Sequence, residues 1–148
     1  MATFQVTDEW ANYMAVSGGA AGVDVDGDTY KAVLSNVAPT KAGTTILTDI
    51  TQIAGTGGYA AVTLAGITWA ETGAGTGIWQ FSSNAFSWTA SGADFATARY
   101  IAIYDDTPTS PVDPVVGFLD YGTTFVVTNG STFTVTPGAN GIYRVTVS

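Results

Sequence analysis

Apolar and polar positions alternate along this chain in short runs, with turn-forming residues between them at close intervals. The last third shows the pattern best. Thr97-Ala-Arg-Tyr-Ile-Ala-Ile-Tyr104 runs into the Asp- and Pro-rich break 105–114, and Val115-Val-Gly-Phe-Leu-Asp120 follows. Thr123-Thr-Phe-Val-Val-Thr128 and Ser131-Thr-Phe-Thr-Val-Thr136 then flank Asn129-Gly130. Asn-Gly between two β-rich runs predicts a hairpin closed by a type I′ turn, whose central residues both need positive φ. Further strands are predicted at 29–35, 59–64, 67–71, 78–82, 86–89 and 142–147, with glycines at 55, 57, 58, 66, 73, 75 and 77 supplying bends. Segment 40–53 carries no clear pattern. Ser/Thr/Gly/Asn clusters between strands this short leave no place for crossover helices, so the class is all-β, an antiparallel β-sandwich or jelly-roll-like fold.

Register follows from the turns. Pairing Tyr104 with Val115 across the 105–114 loop sets Ile103 opposite Val116, Ile101 opposite Phe118, Tyr100 opposite Leu119 and Arg99 opposite Asp120. Both faces of this pair are then mostly apolar, with one charge pair at its end. In the next hairpin, Thr128 opposite Ser131 places Val126 against Phe133 and Phe125 against Thr134.

The N-terminal stretch reads differently. Trp10, Tyr13, Met14 and Val16 recur at helical spacing after the cap-like Thr7-Asp8-Glu9, which predicts a short amphipathic helix. Ser17-Gly-Gly-Ala-Ala-Gly22 follows as a flexible joint and Asp24-Val-Asp-Gly-Asp28 as a polar turn. Residues 1–28 are therefore expected to form an arm or entry segment on a sandwich domain spanning 29–148. Its aromatic and sulfur side chains, Phe4, Trp10, Tyr13 and Met14, are expected to pack on a neighbouring subunit or another protein, the alternative being that the segment folds back to plug one end of its own sandwich.

Length and composition narrow the chemistry. At 148 residues the chain suits one domain with a real core. It holds no Cys and no His, which removes disulfides, thiolate chemistry, the commonest general base and the commonest metal ligand. Its formal net charge is −8, with only Lys31, Lys41, Arg99 and Arg144 as cations, too few for a phosphate backbone or an anionic membrane surface. Charged residues are 11% of the chain while 46% is hydrophobic, a balance that suits apolar surface covered by a partner. The first ten residues carry no basic n-region and two carboxylates, so export by a classical signal is not expected. No apolar run approaches ~18 residues, so no membrane-crossing helix is expected.

The candidate sites each have a plainer reading. Asp24-Val-Asp-Gly-Asp28 has oxygen ligands at alternate positions, as calcium loops do, but the glycine falls fourth and the twelfth position is Ser35 rather than Glu. An ordinary solvated turn is the expectation. Glu9 and Glu71 are the only glutamates, and no spacing singles out a Ser–Lys or paired-carboxylate site. Neither catalysis nor a cofactor is expected. Trp69, Trp79 and Trp88 with Phe81 and Phe86 would suit a sugar-stacking platform, yet aromatics on alternating strand positions more often form core. Arg99 and Asp120 are expected to be a structural pair.

Four phrases carry a resemblance: Phe86-Ser-Trp-Thr-Ala90, Ala98-Arg-Tyr-Ile-Ala-Ile-Tyr-Asp105, Gly117-Phe-Leu-Asp-Tyr-Gly122 and Phe133-Thr-Val-Thr-Pro-Gly-Ala-Asn-Gly-Ile142. Together they resemble small β-rich structural proteins of tailed bacteriophages and prophages, similar to capsid decoration, or cement, proteins. The likeness covers most of 29–148 and rests on strand and turn phrases without catalytic residues. It implies a β-sandwich on the virion, commonly a homo-oligomer with a trimer as first expectation, bound to the major capsid protein or another virion protein. A tail or fibre-base accessory and a carbohydrate-binding module are the alternatives.

Overall fold

The computed structural model describes residues 3–15 and 23–147. Val16 and the glycine-rich joint 17–22 lie outside the described residues. The chain is all-β with antiparallel pairing throughout. Among the described residues ten strands run in the order β1 (Phe4–Val6), β2 (Tyr30–Ser35), β3 (Val62–Thr63), β4 (Thr68–Glu71), β5 (Ile78–Ser82), β6 (Phe86–Thr89), β7 (Ala98–Asp105), β8 (Val115–Phe125), β9 (Thr132–Val135) and β10 (Tyr143–Thr146). Among the described residues one α-helix, α1 (Asp8–Ala15), follows β1 and opens with Asp8 and Glu9, acidic residues that complement its N-terminal dipole.

The principal sheet has the order β1-β8-β7-β2-β3; β10-β5-β4 form a second sheet and β6-β9 a third. Sheets of five, three and two strands do not reproduce the eight-stranded double Greek key of a jelly roll. The inner face of the principal sheet carries Tyr30, Ala32, Leu34, Ile101 and Ile103, buried against Phe81, Phe86 and Trp88 from the smaller sheets. Its outer face carries Val33, Ala102, Tyr104, Val115 and Phe118 under Ile50 and Leu47. The patternless 40–53 stretch is thus a lid over this face, and the apolar excess of the strand pair is covered by its own chain rather than by a second copy.

The 105–114 loop is the expected hairpin connection: Tyr104 pairs with Val115, and the Asp105 N–H reaches the Pro114 carbonyl at 2.9 Å. Beyond that step the predicted register is off by one. Val116 is bulged out, so Ile103 faces Gly117, Ile101 faces Leu119 and Tyr100 faces Asp120. The bulge has a visible partner, because the Val116 carbonyl turns to accept the Thr7 N–H at 3.1 Å.

The second hairpin also differs. Ser131 N–H bonds the Thr128 carbonyl at 2.8 Å, closing a tight turn at Asn129-Gly130. Gly130 has φ 81°, and Asn129 is not among the positive-φ residues, a pattern of type II rather than I′. The strands then part company: β9 pairs with β6, Phe133 against Trp88, instead of with the segment before the turn. Asn129 is drawn the other way, its N–H to Asp94 Oδ1 at 2.8 Å and its side-chain oxygen to the Gly92 N–H at 2.9 Å.

Candidate functional site

The four N-terminal side chains expected at an intermolecular contact sit within the chain's own fold. β1 adds to the edge of the principal sheet, Phe4 opposite Leu119 and Val6 opposite Gly117. Gly117 is required there, since a Cβ would collide with the Gln5 carbonyl oxygen and the Phe4 ring. Trp10 is fully buried. Its indole N–H donates to the Tyr143 hydroxyl at 2.8 Å, and its ring meets Tyr30 edge-on at 6.1 Å. Phe4 stacks on Tyr143 at 6.5 Å, and the Tyr143 hydroxyl in turn reaches Met14 Sδ at 3.4 Å. Tyr13 and Met14 are half-buried against the same cluster. The arm assignment for 1–28 is thereby corrected over residues 4–15. A large aromatic side chain that finds its buried partner in its own core is not available to a neighbour.

Arg99 and Asp120 do meet, on adjacent strands, by a bidentate pair with both N···O distances 2.9 Å. The route differs from simple opposition. Tyr100 pairs with Asp120 and Ala98 with Phe125, so residues 121–124 of β8 stand out against Arg99 alone. Asp120 fastens the base of this protrusion. Its Oδ1 accepts both the Arg99 Nε–H and, at 2.8 Å, the Gly122 N–H, where φ is 90°. The Arg99 guanidinium and the Gly122 N–H hold the Asp120 carboxyl below the usual carboxylate range.

The protrusion presents Tyr121, 47% exposed. The ring packs edge-on to Phe125 at 5.0 Å and to Phe133 at 5.7 Å, and Phe125 and Phe133 stack at 4.4 Å. Behind them Phe133 stacks on the buried Trp88 at 6.1 Å. The patch continues to Val126, 46% exposed, and its rim is Thr128, Ser131 and Thr132. No charged side chain lines it. Tyr121 is the residue that sequence reasoning missed. The available signal was an aromatic beside Gly122 in an otherwise polar run, which breaks the strand alternation.

Among the other aromatics, Phe81, Phe86 and Trp88 are core, as expected. Trp69 and Trp79, expected in the core as well, instead form a stacked pair at 5.9 Å with Trp69 half-buried and Trp79 38% exposed. An apolar cavity of about 170 Å³ lies between Phe4, Ile103, Leu119 and Ile142, with no charged side chain in its lining.

A polar anomaly sits where β2 begins and β7 ends. Tyr30 and Asp105 face one another across the pair and are both fully buried. Burial pushes the Asp105 carboxyl up to about 8; the Thr107 N–H at 3.1 Å works against this rise and the facing Asp28 carboxylate works with it. Burial, with Asp105 next in weight, raises the Tyr30 phenol as well. The 24–28 segment itself is the expected turn, with the Gly27 and Asp28 N–H groups on the Asp24 carbonyl at 3.0 and 2.9 Å. Among the described residues no group of three acidic side chains is placed to hold a metal ion, and no helix is long and apolar enough to cross a membrane.

No protein-family model, no curated protein and no solved structure matches this chain.

Proposed function

We propose that this protein is a non-catalytic structural component of a tailed-phage virion, a decoration protein that binds the head through the Tyr121 protrusion. The observation that carries the reading is the exposed aromatic cluster itself. Tyr121 is held out by a fastened bulge and backed by Phe125, Phe133 and the buried Trp88. Rigid aromatic anchors dominate binding energy at desolvated interfaces. A rim of threonine and serine, in a chain of net charge −8, suits a partner met by shape rather than by opposite charge.

The virion context comes from the resemblance of 86–90, 98–105, 117–122 and 133–142, and the third of these phrases contains Tyr121. The partner in this reading is the major capsid protein or another virion protein, and the location is the particle. No cofactor, nucleic acid or membrane takes part. Self-association, with a trimer as first expectation, belongs to the same proposal and would use the protrusion, because the outer face of the principal sheet is already covered. A tail or fibre-base accessory would use the same patch at a different place on the particle.

The Trp69–Trp79 stack favours a second reading, a carbohydrate-binding module. Co-sedimentation with capsids and glycan-array binding separate the two. Capsid binding lost on Tyr121→Asp supports decoration. Glycan binding lost on Trp79→Ala, without capsid binding, supports the module.

A further inference from the structure

The β9–β10 connection and the inner face of the principal sheet enclose the apolar cavity of about 170 Å³. Its floor is the buried Phe86, Ile101 and Ile103, its half-buried walls include Phe4 and Leu119, and it opens beside the exposed Thr136. Thr136 is the one hydrogen-bonding side chain in the lining. The floor offers a water molecule little to bond, because the β7 backbone that carries Ile101 and Ile103 is paired with β2 on one side and β8 on the other. A buried water needs about two to four polar partners. Protein interiors otherwise pack as densely as organic crystals, so the side chains around a void this large lose contacts that only an apolar occupant restores. An engineered cavity of about 150 Å³ lined by Leu, Ile and Phe stays dry and binds benzene. The present cavity matches it in size and in lining chemistry.

We propose that this cavity is a binding site for a small, uncharged, apolar molecule of single-ring size. Phe4 stacks on Tyr143 and Phe86 meets Trp88 edge-on, so both rings are already held in place when a ligand arrives. Little ordering is then lost on binding. A charged ligand is rejected, because no cation or anion lines the cavity and the loss of its hydration would go uncompensated. A polar substituent fits only at the mouth, where the Thr136 hydroxyl can meet it. For a ligand of about six heavy atoms, a Kd of the order of 10⁻³ M is expected. The cavity shares no lining residue with the Tyr121 patch, so the site stands independently of head binding.

The test is a titration of the full chain, carrying isotope-labelled methyl groups, with benzene and separately with benzoate, followed by NMR. Benzene should give saturable shifts at the Ile101, Ile103 and Leu119 methyl groups with Kd of about 10⁻³ M, and benzoate, the same ring with a charge, should bind about tenfold more weakly or worse. Val135→Phe places a ring in the cavity from its half-buried wall and should abolish the response to benzene. Tyr121→Asp should leave that response unchanged. Should Val135→Phe fail to fold, the contrast between benzene and benzoate at the three wild-type residues decides alone. No saturable shift at those methyl groups would overturn the proposal, as would equal binding of benzoate or a folded Val135→Phe variant that still responds.

Discussion

Trp10 donates its indole N–H to the Tyr143 hydroxyl over 2.8 Å, joining residues 133 positions apart. Through this bond the helix after β1 is fastened to the last strand, with Phe4 and Met14 on either side of the same tyrosine. Phe4, Val6, Trp10, Tyr13 and Met14 therefore behave as part of the core. Trp10→Ala should destabilise by about 3–5 kcal/mol, the range for deleting a large buried aromatic side chain. Trp10→Phe keeps most of the buried area but strands the tyrosine hydroxyl, for about 1–3 kcal/mol. Urea unfolding measures both. A truncation of residues 2–16 that melted like the full chain would contradict this assignment.

β1 can approach β8 because position 117 has no side chain. Gly117→Ala would drive a methyl into the Gln5 carbonyl oxygen and the Phe4 ring. Backbone cannot yield as a flexible side chain does, so β1 should lift from the sheet edge. Hydrogen exchange should show faster exchange at Thr7, whose N–H bonds the Val116 carbonyl. The β2–β7 ladder in the centre should stay protected.

Asp105 predicts the pH dependence of stability. Its folded pKa, about 8, lies above the ordinary carboxylate value of ~3.9 in the unfolded chain. The folded state thus holds a proton that the unfolded state has released. The stability this group contributes is full below ~3.9 and declines as pH rises through about 8. Asp105→Asn should flatten that decline across pH 4–8 and leave the protein more stable than wild type at pH 8. Equal pH profiles for the two proteins would contradict the assignment.

Asp120 serves the protrusion more than global stability. The Arg99 pair is partly solvent-exposed, so its removal should move Tm little. Asp120→Ala should nonetheless free the Gly122 N–H and loosen Tyr121, seen as faster amide exchange at Gly122 and a more exposed tyrosine.

The strands legible in the sequence were those with period-two alternation bounded by turn residues. Ile78–Ser82 and Phe86–Thr89 fall where the pattern puts them. What failed was partner choice. Asn129-Gly130 predicts a tight turn, and one forms, but Asp94 holds the Asn129 N–H away from a hairpin and β9 pairs its backbone with β6, while Phe133 keeps its stack on Phe125 of the preceding strand. The Arg99–Asp120 contact was legible as a nearby pair, whereas the bulges at Val116 and 121–124 that set its true geometry depend on Thr7 and Gly122, distant or backbone groups that no local pattern reports. Trp10 misleads for a related reason: a glycine-rich segment after a helix looks like a hinge to an arm, and only the closed fold reveals Tyr143 waiting for the indole.

The most direct measurement of the proposed role is co-sedimentation of the protein with purified tailed-phage heads, comparing wild type with a Tyr121→Asp/Val126→Asp double variant. Both positions are about half exposed, so the variant should melt within a few degrees of wild type. Wild type should pellet with the heads at saturating stoichiometry, and the variant should lose at least tenfold in affinity. Wild-type protein that stays in the supernatant, or a folded variant that pellets equally well, would contradict head binding through the Tyr121 protrusion.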